Sequence, residues 1–188
     1  NIYEGYGLTE TSPVVTLNVP QSHRPGSVGQ RVPGAEVRIV DENGNDVPAG
    51  ESGEIWLRGP MVMKGYFNLP EETAKTVTPD GWFKTGDLGH LDERGYLFLS
   101  GRAKDLIITG GFNVYPAEVE GHIDKLPGVR EAAVIGVPHP DFGEGVIGVV
   151  VMDAGRELDE AAQITRLKDT IAGFKVPKRL FRLDDLPR

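Results

Sequence analysis

Near the start of the chain, Tyr6-Gly7-Leu8-Thr9-Glu10-Thr11 gathers an aromatic ring, a glycine, two hydroxyls and a carboxylate. Hydroxyls and glycine amides suit phosphate oxygens. A carboxylate suits Mg²⁺, which keeps several waters and takes one or two protein oxygens beside substrate phosphates. The ring could stack on a base. The same residues also describe a polar turn around a buried tyrosine, and the segment alone leaves both readings open. Trp82-Phe83-Lys84-Thr85-Gly86-Asp87 ends in a Gly-Asp pair. Asp87 can accept two hydrogen bonds at once, which suits adjacent ribose hydroxyls, though aspartate beside glycine is also ordinary turn chemistry.

Gly101-Arg102-Ala103-Lys104-Asp105 sets three charges ahead of an apolar stretch. Arg102 could hold phosphate or ribose oxygens, or the cluster is a solvated domain boundary. Thr109-Gly110-Gly111-Phe112-Asn113-Val114-Tyr115-Pro116 is a glycine-paired loop entering a helix. Gly110 and Gly111 let a ligand or a second backbone come close, but the loop lacks the Gly-Lys-Ser/Thr ending of a phosphate loop. The histidines at 23, 90, 122 and 139 have no zinc spacing, and no Gly-x-Ser-x-Gly elbow marks a serine hydrolase.

The elements that position these residues change character along the chain. The first part is turn-rich and then mostly short antiparallel β. Val37 and Ile39 alternate with polar neighbours, Asn43-Gly44 signals a hairpin, and Ile55-Trp56-Leu57 answers. Residues 70–77 form a short helix behind Pro70, and 88–92 with 96–99 form a second hairpin. After Lys104 the order is β-α-β-β-α-β. It comprises a strand at 106–108, then a helix from Pro116 with Val119, Ile123 and Leu126 on one face. Apolar strands at 132–137 and 146–152, a helix over 157–173 and a last strand at 180–183 complete it. The fold class is α+β: a partial antiparallel β subdomain over 1–103, then a small α+β domain over 104–188 with a three-stranded sheet and helices.

Composition bounds the rest. Of 188 residues 39% are hydrophobic, enough for a core and too many for a disordered chain. Twenty Lys and Arg against 28 Asp and Glu leave −8, which argues against nucleic acid as a partner. No apolar run approaches the roughly 20 residues of a membrane helix. Cysteine is absent, excluding disulfides and thiolate sites, and a cytoplasmic location fits. The 25 glycines and 14 prolines are dispersed as turns. Neither Asn1 nor Arg188 reads as a natural terminus.

No one segment is decisive, but their order is. YGLTET, RPGSVGQRVPGAEVRIVD, GEIWLRGPMVMKGYFNLPEET, DGWFKTGD, GRAKDLIITGGFNVYPAEVE, EAAVIGVPHPDFGE and FKVPK follow one another, and together they resemble the C-terminal part of the AMP-forming adenylating enzymes. That superfamily includes acyl-CoA synthetases, peptide-synthetase adenylation domains and luciferases. The resemblance implies that a carboxylate attacks ATP to give an acyl-adenylate and pyrophosphate, and that coenzyme A then takes the acyl group and expels AMP. It implies that Tyr6 packs on adenine within the Tyr6-Gly7 nucleotide-binding turn. Thr9 contacts phosphate, Glu10 ligates Mg²⁺, and Asp87 and Arg102 bind the ribose. Lys104 is the hinge of a mobile C-terminal domain, and Gly110 and Gly111 line the path of the pantetheine arm.

The resemblance further implies a phosphate loop and most of an acyl pocket before Asn1, and a catalytic lysine after Arg188. These 188 residues alone are therefore expected to be inactive. GGFNVYPAEVE and VIGVPHPDFGEGV favour the acid–CoA ligase branch. The second half is similar to malonyl-CoA synthetases and the opening to fatty acyl-CoA synthetases, so the acid is fatty or a short dicarboxylate such as malonate. Arg24 is near the position that holds malonate's far carboxylate, or is a surface or turn residue. The alternatives are an adenylation domain loading a carrier protein and a non-catalytic nucleotide- or CoA-binding fragment. Oligomeric state is not readable.

Overall fold

A computed structural model describes residues 2–187. The chain divides into two compact units, Asn1–Ala103 and Lys104–Arg188.

In the first unit, β1 (Gly5–Tyr6), β2 (Thr16–Leu17) and β3 (Gln30–Arg31) form a small three-stranded antiparallel sheet. A four-stranded antiparallel sheet follows, built from β4 (Glu36–Val40), β5 (Gly53–Arg58), β6 (Phe83–Leu91) and β7 (Leu97–Arg102) in that order. The first hairpin turns where Asn43-Gly44 predicts it. Gly44 takes a positive φ of 82° and Asp41 accepts the Asn43 and Asn45 N–H groups. Helix α1 (Pro70–Thr76) starts at its proline. Val15, Ile55, Leu57 and Leu97 are fully buried in one cluster that also holds Tyr6. Each such side chain removed from water stabilises the unit by about 1.5–3 kcal/mol.

The second unit comprises β8 (Ile107–Thr109), β9 (Phe112–Val114), α2 (Pro116–Ile123), β10 (Val129–His139), β11 (Gly143–Met152), α3 (Glu160–Lys168) and β12 (Arg179–Leu183). Its sheet has five strands, not the expected three. Gly110 and Gly111, with φ of 58° and 82°, reverse the chain so that residues 112–114 pair back on β8 as β9. β12 adds to β11 in parallel. Val119, Ile123, Val146, Val150 and Leu167 are fully buried between sheet and helices.

Helix α3 is shorter than the expected 157–173. Asp159 caps it by accepting the Ala162 N–H, and it ends at Lys168. Leu158, Ile171 and Phe174 pack on the core from outside the helix, so helical spacing overstates its length. Gly143, Gly145 and Gly148 have the G-x-G-x-x-G spacing, but they lie inside antiparallel β11 rather than in a strand-to-helix turn. The segment is therefore not a dinucleotide fingerprint. Among the described residues no helix is long and apolar enough to cross a membrane.

Candidate functional site

A cleft of about 780 Å³ in the first unit is lined by Tyr6, Gly7, Thr9, Glu10, Tyr66, Lys84, Thr85, Asp87 and Arg102, among others. Most of the residues singled out in the sequence of this unit therefore meet in one place.

Tyr6, at the end of β1, and Asp87, on β6, are 9% and 8% exposed. The Tyr6 hydroxyl donates to Asp87 Oδ2 at 2.7 Å. Arg102, the last residue of β7, brings Nε to 3.2 Å from Asp87 Oδ1, its position fixed by the direct pairing of Asp87 with Arg102 across the ladder. Each carboxylate oxygen keeps a further lone pair. Burial first, then the bond to Asp87 and that group's charge, holds Tyr6 well above the usual tyrosine range. The hydroxyl therefore stays protonated and keeps donating. Buried tyrosine and cleft-lining tyrosine, alternatives in the sequence, are here the same residue.

Thr9 and Glu10 lie on a single 3-10 turn, Thr9–Thr11, between β1 and β2. Thr11 is fully buried and locks the turn, accepting the Leu8 N–H at 2.9 Å and donating to Leu8 O at 3.0 Å. Thr9 is left exposed. Gly7 is required by close approach, because a Cβ there would sit 1.5 Å from Pro13 O. Glu10 Oε1 accepts from the Tyr66 hydroxyl at 3.0 Å. Among the described residues no group of three metal-ligating side chains exists. A cation at Glu10 would need most of its oxygens from water and substrate, which suits Mg²⁺ beside phosphates.

The other candidates lie elsewhere. Lys104 sits on the exposed 3-10 turn Ala103–Asp105, and Gly110 and Gly111 form the β8–β9 turn of the second unit. Arg24 is not among the residues lining the cleft. Its Nε is 2.9 Å from Asp92 Oδ2, and its guanidinium carbon is 5.8 Å and 5.7 Å from the ring centroids of Tyr96 and Phe98. Tyr66, Lys84 and Thr85 escaped sequence reasoning. A tyrosine after Lys-Gly and a threonine before Gly-Asp carry no local signal of where they point.

Residues 1–67 match the AMP-binding enzyme family and residues 118–188 the AMP-binding enzyme C-terminal domain. An indoleacetate–CoA ligase of Aromatoleum aromaticum is 44% identical over 97% of this chain and 36% of its own length. A long-chain-fatty-acid–CoA ligase of Yersinia pestis is 45% identical over 100% of this chain and 33% of its own. The crystal structure of ATP-bound MatB from Rhodopseudomonas palustris superposes with a TM-score of 0.94 at 52% identity, covering 100% of this chain and 37% of that one. The chain thus spans about a third of the length of the curated relatives it matches. With both family regions present in order and relatives aligned along nearly its whole length, the chain belongs to the AMP-binding enzymes.

Proposed function

We propose that the protein carrying this chain is an AMP-forming acid–CoA ligase. It would join a carboxylic acid to the α-phosphorus of ATP, releasing pyrophosphate, and then pass the acyl group to the thiol of coenzyme A, releasing AMP. The observation that carries the reading is the Tyr6–Asp87–Arg102 arrangement in a cleft that also presents Glu10 and Thr9. The CoA-ligase names of the relatives agree with it.

In this reading the Tyr6 ring packs on adenine with Gly7 giving the nucleotide close access. Asp87 accepts from the ribose hydroxyls while Arg102 donates to the ribose. Thr9 donates to phosphate, and Glu10 holds Mg²⁺. Bound there, the cation would neutralise phosphate charge as the α-phosphorus is attacked. The protein's contribution to that step is positioning rather than covalent chemistry. Lys104, the first residue of the second unit, serves as a hinge, and Gly110 and Gly111 give the pantetheine arm access. The acid is fatty or a short dicarboxylate, and the reaction belongs in the cytoplasm.

The test is ATP–pyrophosphate exchange by the intact protein with fatty acids and with malonate, followed by thioester formation with coenzyme A. Asp87→Ala should raise the KM for ATP by about 10- to 100-fold, the loss of a hydrogen bond to a charged group. Lys104→Pro should spare adenylate formation and impair thioester formation. Absence of acid-dependent exchange sinks the reading, and preference for a carrier-protein thiol over coenzyme A reassigns the second step.

A further inference from the structure

The carboxylate of Glu54, on β5, is not among the residues lining the cleft. It nevertheless reaches the residues that are. Between paired positions Glu54–Leu88 and Trp56–Lys84, β5 has one residue, Ile55, where β6 has three, Thr85, Gly86 and Asp87. The two extra residues make a bulge, and Thr85 and Asp87 both line the cleft. A bulge leaves backbone groups outside the ladder and re-aims a side chain, so something must hold its shape. Here Glu54 Oε1 accepts the Gly86 N–H at 3.1 Å, and Oε2 accepts the Trp56 indole N–H at 2.9 Å. Thr85 completes the brace. Its hydroxyl donates to Ile55 O at 2.7 Å and accepts the Asp87 N–H at 3.0 Å. Gly86 sits at the middle with φ of +70°, a conformation that L side chains rarely adopt.

Glu54 takes part in none of the ion pairs found among the described residues. Its two acceptor oxygens are both spent on N–H donors around the bulge and its neighbouring strand. A partly buried carboxylate held only by neutral donors is a costly choice for a surface position, and its effect here is local. It fixes the Thr85–Gly86 peptide, while Thr85 holds the Asp87 N–H.

We propose that Glu54 is a positioning residue for ribose recognition: it clamps the Thr85–Asp87 bulge so that the Asp87 carboxylate is presented to the ribose hydroxyls in one orientation. The proposal rests on the reading of Asp87 as the ribose acceptor. Removing Glu54 leaves Asp87 in place chemically but lets its backbone wander, so the loss falls on discrimination between sugars rather than on the phosphates or the acid.

The experiment compares ATP with 2′-deoxy-ATP in pyrophosphate exchange by the intact protein, reading the ratio of their kcat/KM values. The wild type should prefer ATP, and Asp87→Ala should shrink that preference by about tenfold, one charge-assisted hydrogen bond. Glu54→Ala should shrink it similarly while leaving the KM for the acid unchanged. Glu54→Gln keeps an acceptor for Gly86 but sets an amide donor against the Trp56 N–H, so it should fall between. If Glu54→Ala fails to fold, Thr85→Val removes the second arm of the brace and should shrink the ratio in the same way. A wild-type ratio in folded Glu54→Ala or Thr85→Val, with the ratio collapsed in Asp87→Ala, overturns the positioning role alone. A wild-type ratio in Asp87→Ala overturns the ribose reading and the role of Glu54 with it.

Discussion

Tyr66 donates its phenolic hydrogen to Glu10 Oε1 at 3.0 Å across 56 residues of sequence. The loop that carries Tyr66 is itself tied down, since the Tyr66 N–H donates to Thr73 Oγ1 and the Met63 N–H to Glu10 O. Burial first, then the bond to Glu10 and its charge, raises the tyrosine above its ordinary range. It therefore donates throughout neutral pH and holds one carboxylate oxygen, and in the proposed reading the other would serve Mg²⁺.

Tyr66→Phe should accordingly raise the Mg²⁺ concentration that half-saturates adenylate formation by about 3- to 10-fold, the net worth of one hydrogen bond. The rate at saturating Mg²⁺ should be little changed. A Mg²⁺ titration of pyrophosphate exchange decides it, and an unchanged midpoint removes Tyr66 from the account.

Gly7→Ala should be far more damaging than its size suggests. The new Cβ would sit 1.5 Å from Pro13 O and 2.5 Å from Pro13 C, both backbone atoms. The turn carrying Thr9 and Glu10 must move, and the bond from Val15 N to Tyr6 O at 2.8 Å moves with it. The expected outcome is a rise in the KM for ATP together with a lower melting temperature, read by exchange kinetics and thermal unfolding.

The Arg24–Asp92 pair makes opposing predictions for two readings of Arg24. Its guanidinium is engaged by Asp92 and lies near two aromatic rings, which favours a pin holding the 18–28 segment to the β6–β7 hairpin. Arg24→Ala should then lower stability and leave the KM for malonate unchanged. A selective rise in that KM would restore the carboxylate-clamp reading. Asp92 supplies a pH signature. Burial works to raise its pKa, but the Tyr96 and Arg94 backbone N–H groups and the Arg24 and Arg94 charges outweigh it and leave the pKa lowered. A depressed acid stabilises the fold above its unfolded value, about 3.9, and that contribution is lost as pH falls through the lower folded value. Urea unfolding from about pH 6 down to about pH 3 should lose less stability in Asp92→Asn than in the wild type.

Much of this architecture is legible before any coordinates. Asn43-Gly44 announces its hairpin, Pro70 and Pro116 start their helices, and the types of Tyr6, Glu10 and Asp87 suggest a nucleotide. Their meeting is not legible, because Tyr6 and Asp87 lie 81 residues apart and only the sheet pairing brings them together. Glu54, Thr85 and Tyr66 are invisible for the same reason. Their importance comes from a register shift and a loop approach, neither of which has a local sequence cost or signature. The strand at 112–114 is hidden differently. The Gly110-Gly111 pair reads as ligand access when it is also a hairpin turn.

The second unit offers a test independent of any activity. Leu167, on α3, is fully buried in the core with Ile123 and Val150, so Leu167→Ala should cost about 2–5 kcal/mol. Gly121 lies in the interior of α2 with no positive φ, and a Cβ added there would meet nothing within 4 Å. Gly121→Ala should therefore stabilise the helix by about 0.5–1 kcal/mol, since alanine loses less backbone entropy there. Chemical denaturation of the two variants should move the midpoint in opposite directions. A neutral Leu167→Ala would contradict the placement of α3 on the sheet, and a destabilising Gly121→Ala would mean that the α2 face at that position is packed against something.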